Sequence, residues 1–105
     1  MAIEFDTDAV LPPMHPGEVL RGEFLEPLKL SAGAVARACV VPRTRIEHVA
    51  VREVGISTDT ALRLARYLGM PAEFWLNLQR ADELETLEWE VGAEIARITP
   101  LDRAA

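Results

Sequence analysis

From His15 onward, apolar residues recur at helical spacing, and the breaks in that spacing divide the chain into short helices. The stretch from Ala32 to Val51 is the most telling. Val35, Ala36 and Cys39 share one face, Ile46 and Val49 share another, and Cys39-Val40-Val41-Pro42 lies between them. Proline lacks an amide donor and pushes the residue before it out of helical geometry, so the run breaks here. The same proline fits the first turn of a second helix, where its missing donor costs nothing. That second helix shows Arg43, Thr44, Arg45, Glu47 and His48 to solvent. This is the layout of a helix-turn-helix, whose second helix lies in the major groove of DNA. A plain helical hairpin has the same spacing, and the stretch alone leaves both readings open.

The other elements follow from similar signals. Residues 1–14 alternate loosely (Ile3, Phe5) and run into Pro12-Pro13, which reads as an extended or disordered arm with too few apolar residues to fold alone. A first helix opens at His15-Pro16-Gly17-Glu18, carries Val19, Leu20, Phe24, Leu25 and Leu28 at the 3.6-residue period, and stops near Pro27. Ser31 is an N-cap for the first motif helix. Ala50 to Gly55 connects to a fourth helix, capped by Ser57 and ended by Gly69, with Ala61, Leu62, Leu64, Ala65 and Leu68 as its apolar face. Pro71 starts a fifth with Phe74, Trp75, Leu78 and Ala81 on one side. Trp75 is expected to anchor the core, because a small helical domain needs bulk to bury.

From Leu84 the pattern narrows to one stripe, Leu84, Leu87, Val91, Ile95 and Ile98, with six acidic residues from Asp82 to Glu94 facing elsewhere. Thr99-Pro100 is the expected stop. Such a stripe needs cover, either from a second copy of the chain or from the first helix. The expected organisation is an arm (1–14), a helix-turn-helix domain (15–81) and a C-terminal amphipathic helix with a tail (82–105).

Charge changes this picture in one respect. The 105-residue chain carries a formal net charge of −6, which by itself argues against nucleic acid. Its distribution does not: residues 15–68 carry +2, between an arm at −3 and a C-terminal third at −5. Exposed charges beyond about 8 Å are screened at physiological salt, so a small basic centre can still meet phosphates. No apolar run approaches the ~20 residues of a membrane span. Glu4, Asp6 and Asp8 occupy the place of a signal peptide's basic region, so a cytoplasmic location is expected.

Candidate chemistry is sparse. A single cysteine excludes a disulfide framework, and with two histidines it lacks the spacing of a metal site. Cys39 falls on the buried face of the motif, where a thiol acts as a small hydrophobe. His15 reads as a helix-start residue, since nothing nearby could orient or activate it. No catalytic residues, metal or cofactor are expected, and an enzyme is not the reading.

Several stretches, in order, carry a resemblance: His15-Pro16-Gly17-Glu18, Phe24-Leu25-Glu26-Pro27-Leu28, Val41-Pro42-Arg43-Thr44-Arg45-Ile46, Asp59 to Ala65, and Glu73 to Gln79. In these, from about Met14 to Leu101, the chain resembles the HigA-type antitoxins of the XRE helix-turn-helix family. The resemblance implies an all-α, five-helix, lambda-repressor-like domain with a C-terminal helix extension. It also implies a homodimer, a HigB-type mRNA-cleaving toxin as partner, and repression of the shared operon by operator binding. Arg43, Thr44, Arg45, Glu47, His48 and Arg52 are then the expected DNA-binding residues, and Leu84, Leu87, Val91, Ile95 and Ile98 the expected dimer interface.

The departures from the family pattern cluster where DNA would be touched. Ala32 stands where Gln is usual, Val40 where Gly is usual, and Glu47 where Asn is common. A carboxylate at Glu47 would accept only from cytosine and would repel phosphate. Val51-Arg52-Glu53-Val54-Gly55 replaces a more basic, glycine-richer connector. Operator specificity is therefore expected to be altered or affinity weakened. The alternative reading is a protein-interaction module, antitoxin or orphan, whose motif has lost most DNA affinity.

Overall fold

The computed structural model describes residues 14–103 and is all helical, with no strand among the described residues. The expected arm therefore lies outside the described residues, apart from Met14. The first helix, α1 (Pro16–Val19), is capped by the His15 Nδ1, which accepts from the Gly17 amide at 2.9 Å. It continues as a π-helical segment (Leu20–Leu25), in which the Glu26 amide reaches back five residues to the Arg21 carbonyl at 3.0 Å. The regular 3.6-residue pattern expected here gives way for a legible reason. Val19 and Phe24, like Leu20 and Leu25, lie five residues apart, and the wider turn lets all four be buried. Leu28, expected on the same face, is 58 % exposed because the chain has left the helix by then.

Helix α2 (Ala32–Cys39) starts at Ser31, whose Oγ accepts from the Ala34 amide at 3.0 Å. Helix α3 (Arg43–Ala50) follows after three residues, with Pro42 at its N-cap rather than inside its first turn. Helix α4 (Thr58–Leu68) runs from the Ser57 cap to Gly69, which takes the left-handed conformation (φ 87°) and donates to the Ala65 carbonyl. Helix α5 (Ala72–Ile95) begins after Pro71 and is continuous. The boundary expected between residues 81 and 82 thus falls within one helix, and what changes there is burial. The helix stops at Ile95, before Thr99-Pro100, so Ile98 sits in the turn that follows, its amide bonded to the Ile95 carbonyl.

Trp75 is fully buried at the centre of the core, its ring centroid 5.5 Å from that of Phe24 and 5.1 Å, edge-on, from that of Phe74. Val19, Leu20, Val35, Ile46, Val49 and Leu64 close around the same core. Two apolar assignments are corrected. Leu62 is exposed and Thr60 takes its place on the inner face of α4, while on α5 Ala81 is exposed and Gln79 is buried. The Gln79 Oε1 accepts from the Ile56 amide at 2.8 Å and its Nε2 donates to Glu83, so the buried amide is satisfied. The loop after α3 is thereby fastened to α5.

Candidate nucleic-acid interface

The turn between α2 and α3 sets the angle of α3. Val40 closes α2 in the left-handed region (φ 58°, ψ 49°), a costly conformation for a β-branched residue, and is 80 % exposed. Its side chain therefore adds no packing that would hold the turn. The clamp comes from α4: the Arg63 guanidinium donates to the Cys39 carbonyl at 2.8 Å and the Val40 carbonyl at 3.1 Å, satisfying the C-terminal carbonyls of α2. Val41 closes the turn through its own amide on the Ala36 carbonyl.

One carboxylate joins this clamp to α3. Asp59 Oδ2 accepts from Arg63 Nε at 2.9 Å and from an Arg45 Nη at 2.6 Å. The Arg63 hydrogen bond, with Arg45 adding to it, holds the Asp59 carboxyl below its ordinary value. A depressed folded-state value means that Asp59 stabilises the motif above the ordinary carboxylate range. That contribution is lost as pH falls through the lowered value. Burial pushes the Cys39 thiol up, partly offset by Arg63, so it stays a neutral hydrophobe that donates weakly to the Arg63 carbonyl.

The far end of α3 is tied to α1. The Arg21 guanidinium donates to the Ala50 carbonyl at 3.3 Å, and Arg52, itself left-handed (φ 67°), pairs with Glu18 at 2.7 Å. Gly17 lies so close beneath α3 that a Cβ there would stand 1.9 Å from the Val49 carbonyl oxygen. Helix α3 is thus held at both ends, with Ile46, Val49 and Ala50 inward.

Its outer face carries Arg43, Thr44, Arg45 and His48, all exposed, with Glu47 half-buried among them and exposed Arg52 just beyond the end of the helix. Each basic side chain there faces a carboxylate of the same chain: Arg43 faces Glu47, Arg45 Asp59, His48 Glu53 at 3.8 Å, and Arg52 Glu18. Such exposed pairs are worth little individually, about 0–1 kcal/mol, and do not by themselves keep a phosphate or base edge away. The structure brings the six residues together on one surface. Sequence reasoning missed Asp59 and Arg63 as the residues that hold the surface in place. Their i, i+4 spacing on α4 signals that they pair with each other, but not that they reach Arg45 and the end of α2.

The stripe residues Leu84, Leu87, Ile95 and Ile98 are more than half exposed and Val91 is half-buried, so the first helix does not cover them. Among the described residues no group of three or more His, Cys, Asp or Glu could hold a metal ion, and no helix is long and apolar enough to cross a membrane.

No family model matches the chain. It does match known proteins over most of their length. It is 49 % identical over 78 residues to virulence-associated protein I of Dichelobacter nodosus, covering 74 % of this chain and 72 % of that protein. It is 39 % identical over 72 residues to antitoxin HigA-1 of Vibrio cholerae, covering 69 % and 68 %. Among solved structures, the Pseudomonas aeruginosa antitoxin HigA with higBA promoter superposes with a TM-score of 0.82 at 42 % identity, over 86 % of this chain and 99 % of that one. Antitoxin GraA in complex with its operator superposes with a TM-score of 0.81 at 40 % identity, over 92 % and 99 %. The helix order, the clamped turn and these likenesses agree, and the chain belongs to the HigA-type antitoxins of the XRE helix-turn-helix family.

Proposed function

We infer that this protein is the antitoxin of a HigBA-type pair, which neutralises an mRNA-cleaving toxin in the cytoplasm and represses its own operon by laying α3 in the major groove of operator DNA. The observation that carries the reading is the polar outer face of α3, held at both ends, in a chain whose relatives have been solved on operator or promoter DNA. Arg43, Thr44, Arg45, Glu47, His48 and Arg52 are the residues offered to DNA. The exposed stripe supports a two-fold dimer, with Leu84, Leu87, Val91, Ile95 and Ile98 along the seam, since a continuous apolar surface in water calls for a partner. A dimer would also give α3 its second copy for the second half-site.

A different reading is favoured by one observation: Arg43, Arg45 and Arg52, the arginines at the interface, are all paired with carboxylates of the same chain. On that reading the motif is scaffold and the protein binds only its toxin. One experiment separates the two. Arg43→Ala with Arg45→Ala is expected to weaken binding to the chain's own upstream DNA while leaving rescue of growth from the co-expressed toxin intact. Where residual binding is measurable, the slope of log K against log salt should fall by about 0.9 for each phosphate no longer neutralised. Wild-type protein that rescues growth but binds no upstream DNA would establish the interaction-module reading instead.

A further inference from the structure

The three arginine ion pairs at the interface are not equivalent. Arg45 and Arg52 are held by carboxylates of α4 and α1, so their partners belong to the scaffold. Arg43 and Glu47 both lie on α3, one turn apart, and move into a groove together. Only the Arg43 Nε is taken by Glu47. The guanidinium has five N–H donors in a planar fork, so its two outer nitrogens keep theirs for a partner. Beside them Glu47 keeps a second carboxylate oxygen, which can only accept. The couple thus keeps two donor nitrogens and one acceptor oxygen for a partner.

We propose that the Arg43–Glu47 couple reads a single G·C base pair in the major groove, the arginine fork meeting guanine N7 and O6 and the Glu47 carboxylate meeting the N4 amine of the paired cytosine. This rests on the DNA-reading function above and names what that surface selects. The major-groove edge of a G·C pair runs acceptor, acceptor, donor, which is the complement of the couple. An A·T pair runs acceptor, donor, acceptor, and so opposes a donor of Arg43 with a donor and Glu47 with an acceptor. Phosphate is the wrong partner for the couple as a whole, because Glu47 repels it. Glu47 is therefore a specificity residue, and Arg43 is oriented for the fork before DNA arrives.

The test uses the full chain and a pool of randomised duplexes, followed by affinity measurements on the selected site and on the same site with one G·C pair changed to A·T. Wild type is expected to enrich a fixed G·C pair in each half-site and to lose about 5- to 150-fold in affinity when it becomes A·T. Glu47→Gln, which keeps size, removes charge and lets an amide turn either a donor or an acceptor to the base edge, is expected to reduce that discrimination to the part the arginine fork supplies on guanine, while its affinity for the A·T duplex rises. If Glu47→Gln instead shifts affinity by the same factor on every duplex, the couple only braces Arg43 and this inference falls, with DNA reading intact. If wild type enriches no sequence at all, the underlying function falls with it. Circular dichroism of the variant excludes misfolding as a cause.

Discussion

Helix α5 is two regions on one rod. Its first turns, from Ala72 to Gln79, pack Trp75 and the Gln79 amide into the core, while from Glu83 to Glu90 every side chain is exposed. Both halves carry apolar residues at helical spacing, and both are amphipathic by the same rule. The difference lies in what stands opposite. The inner half faces Phe24 on the π-helical segment and the loop after α3, whereas from Glu83 to Glu90 the rest of the chain buries no side chain. Helical periodicity thus identifies a face that wants burial and leaves open which surface buries it. The outer half adds Trp89, off the stripe and 91 % exposed, with Glu85, Glu88 and Glu90 around it.

The inner half is most vulnerable at Trp75. Trp75→Ala is expected to cost about 3–5 kcal/mol, because it empties the centre of a small core whose neighbours cannot all collapse inward. Urea denaturation followed by circular dichroism reads this directly, and a loss below about 1 kcal/mol would mean the inner half contributes no more than a surface site does. Gln79→Leu should come next, at about 1–3 kcal/mol, since the buried Ile56 amide would lose its acceptor. Native-state hydrogen exchange should show the Ile56 amide losing its protection first.

The outer half should behave in the opposite way. Val91→Asp with Ile95→Asp is expected to halve the mass in light scattering and to leave a folded monomer. The melting midpoint of that variant should no longer rise with protein concentration, as an associating chain's does. An unchanged dimer mass would move the seam off this stripe. Smallest of all is Trp89→Ser, which should change the stability of the chain by no more than about 0.5 kcal/mol, as surface substitutions do. A larger loss would show that Trp89 is covered in the assembled protein.

Where the sequence spoke through local chemistry, the structure agrees. His15, Ser31, Ser57, Gly69 and Pro71 all mark helix ends, because a cap is a contact between residues only two to four positions apart. For the left-handed Val40 the signal came from the resemblance, since it stands where the family usually carries glycine. The rest depends on contacts made far along the chain. Gln79 is buried only because Ile56, 23 residues earlier, donates to it. Arg63 matters because the carbonyls at Cys39 and Val40 lie beneath it, and Asp59 because Arg45 reaches over from α3. No composition or period within one helix announces such a partner. The outward set Arg43, Thr44, Arg45 and His48 was easier, because residues left over from an apolar face must point to solvent.

The closeness of Gly17 to the Val49 carbonyl limits what can be inherited at residue 17. Every amino acid reached from a glycine codon by one base change carries a Cβ, and at this position that atom would overlap backbone, which has no rotamer to retreat into. Gly22, a few residues on in the same helical stretch, has nothing within 4 Å of the same atom and is free to drift. Lineages descended from this chain should therefore vary at one glycine and keep the other, and a survivor that has changed Gly17 should also have moved α1 away from α3.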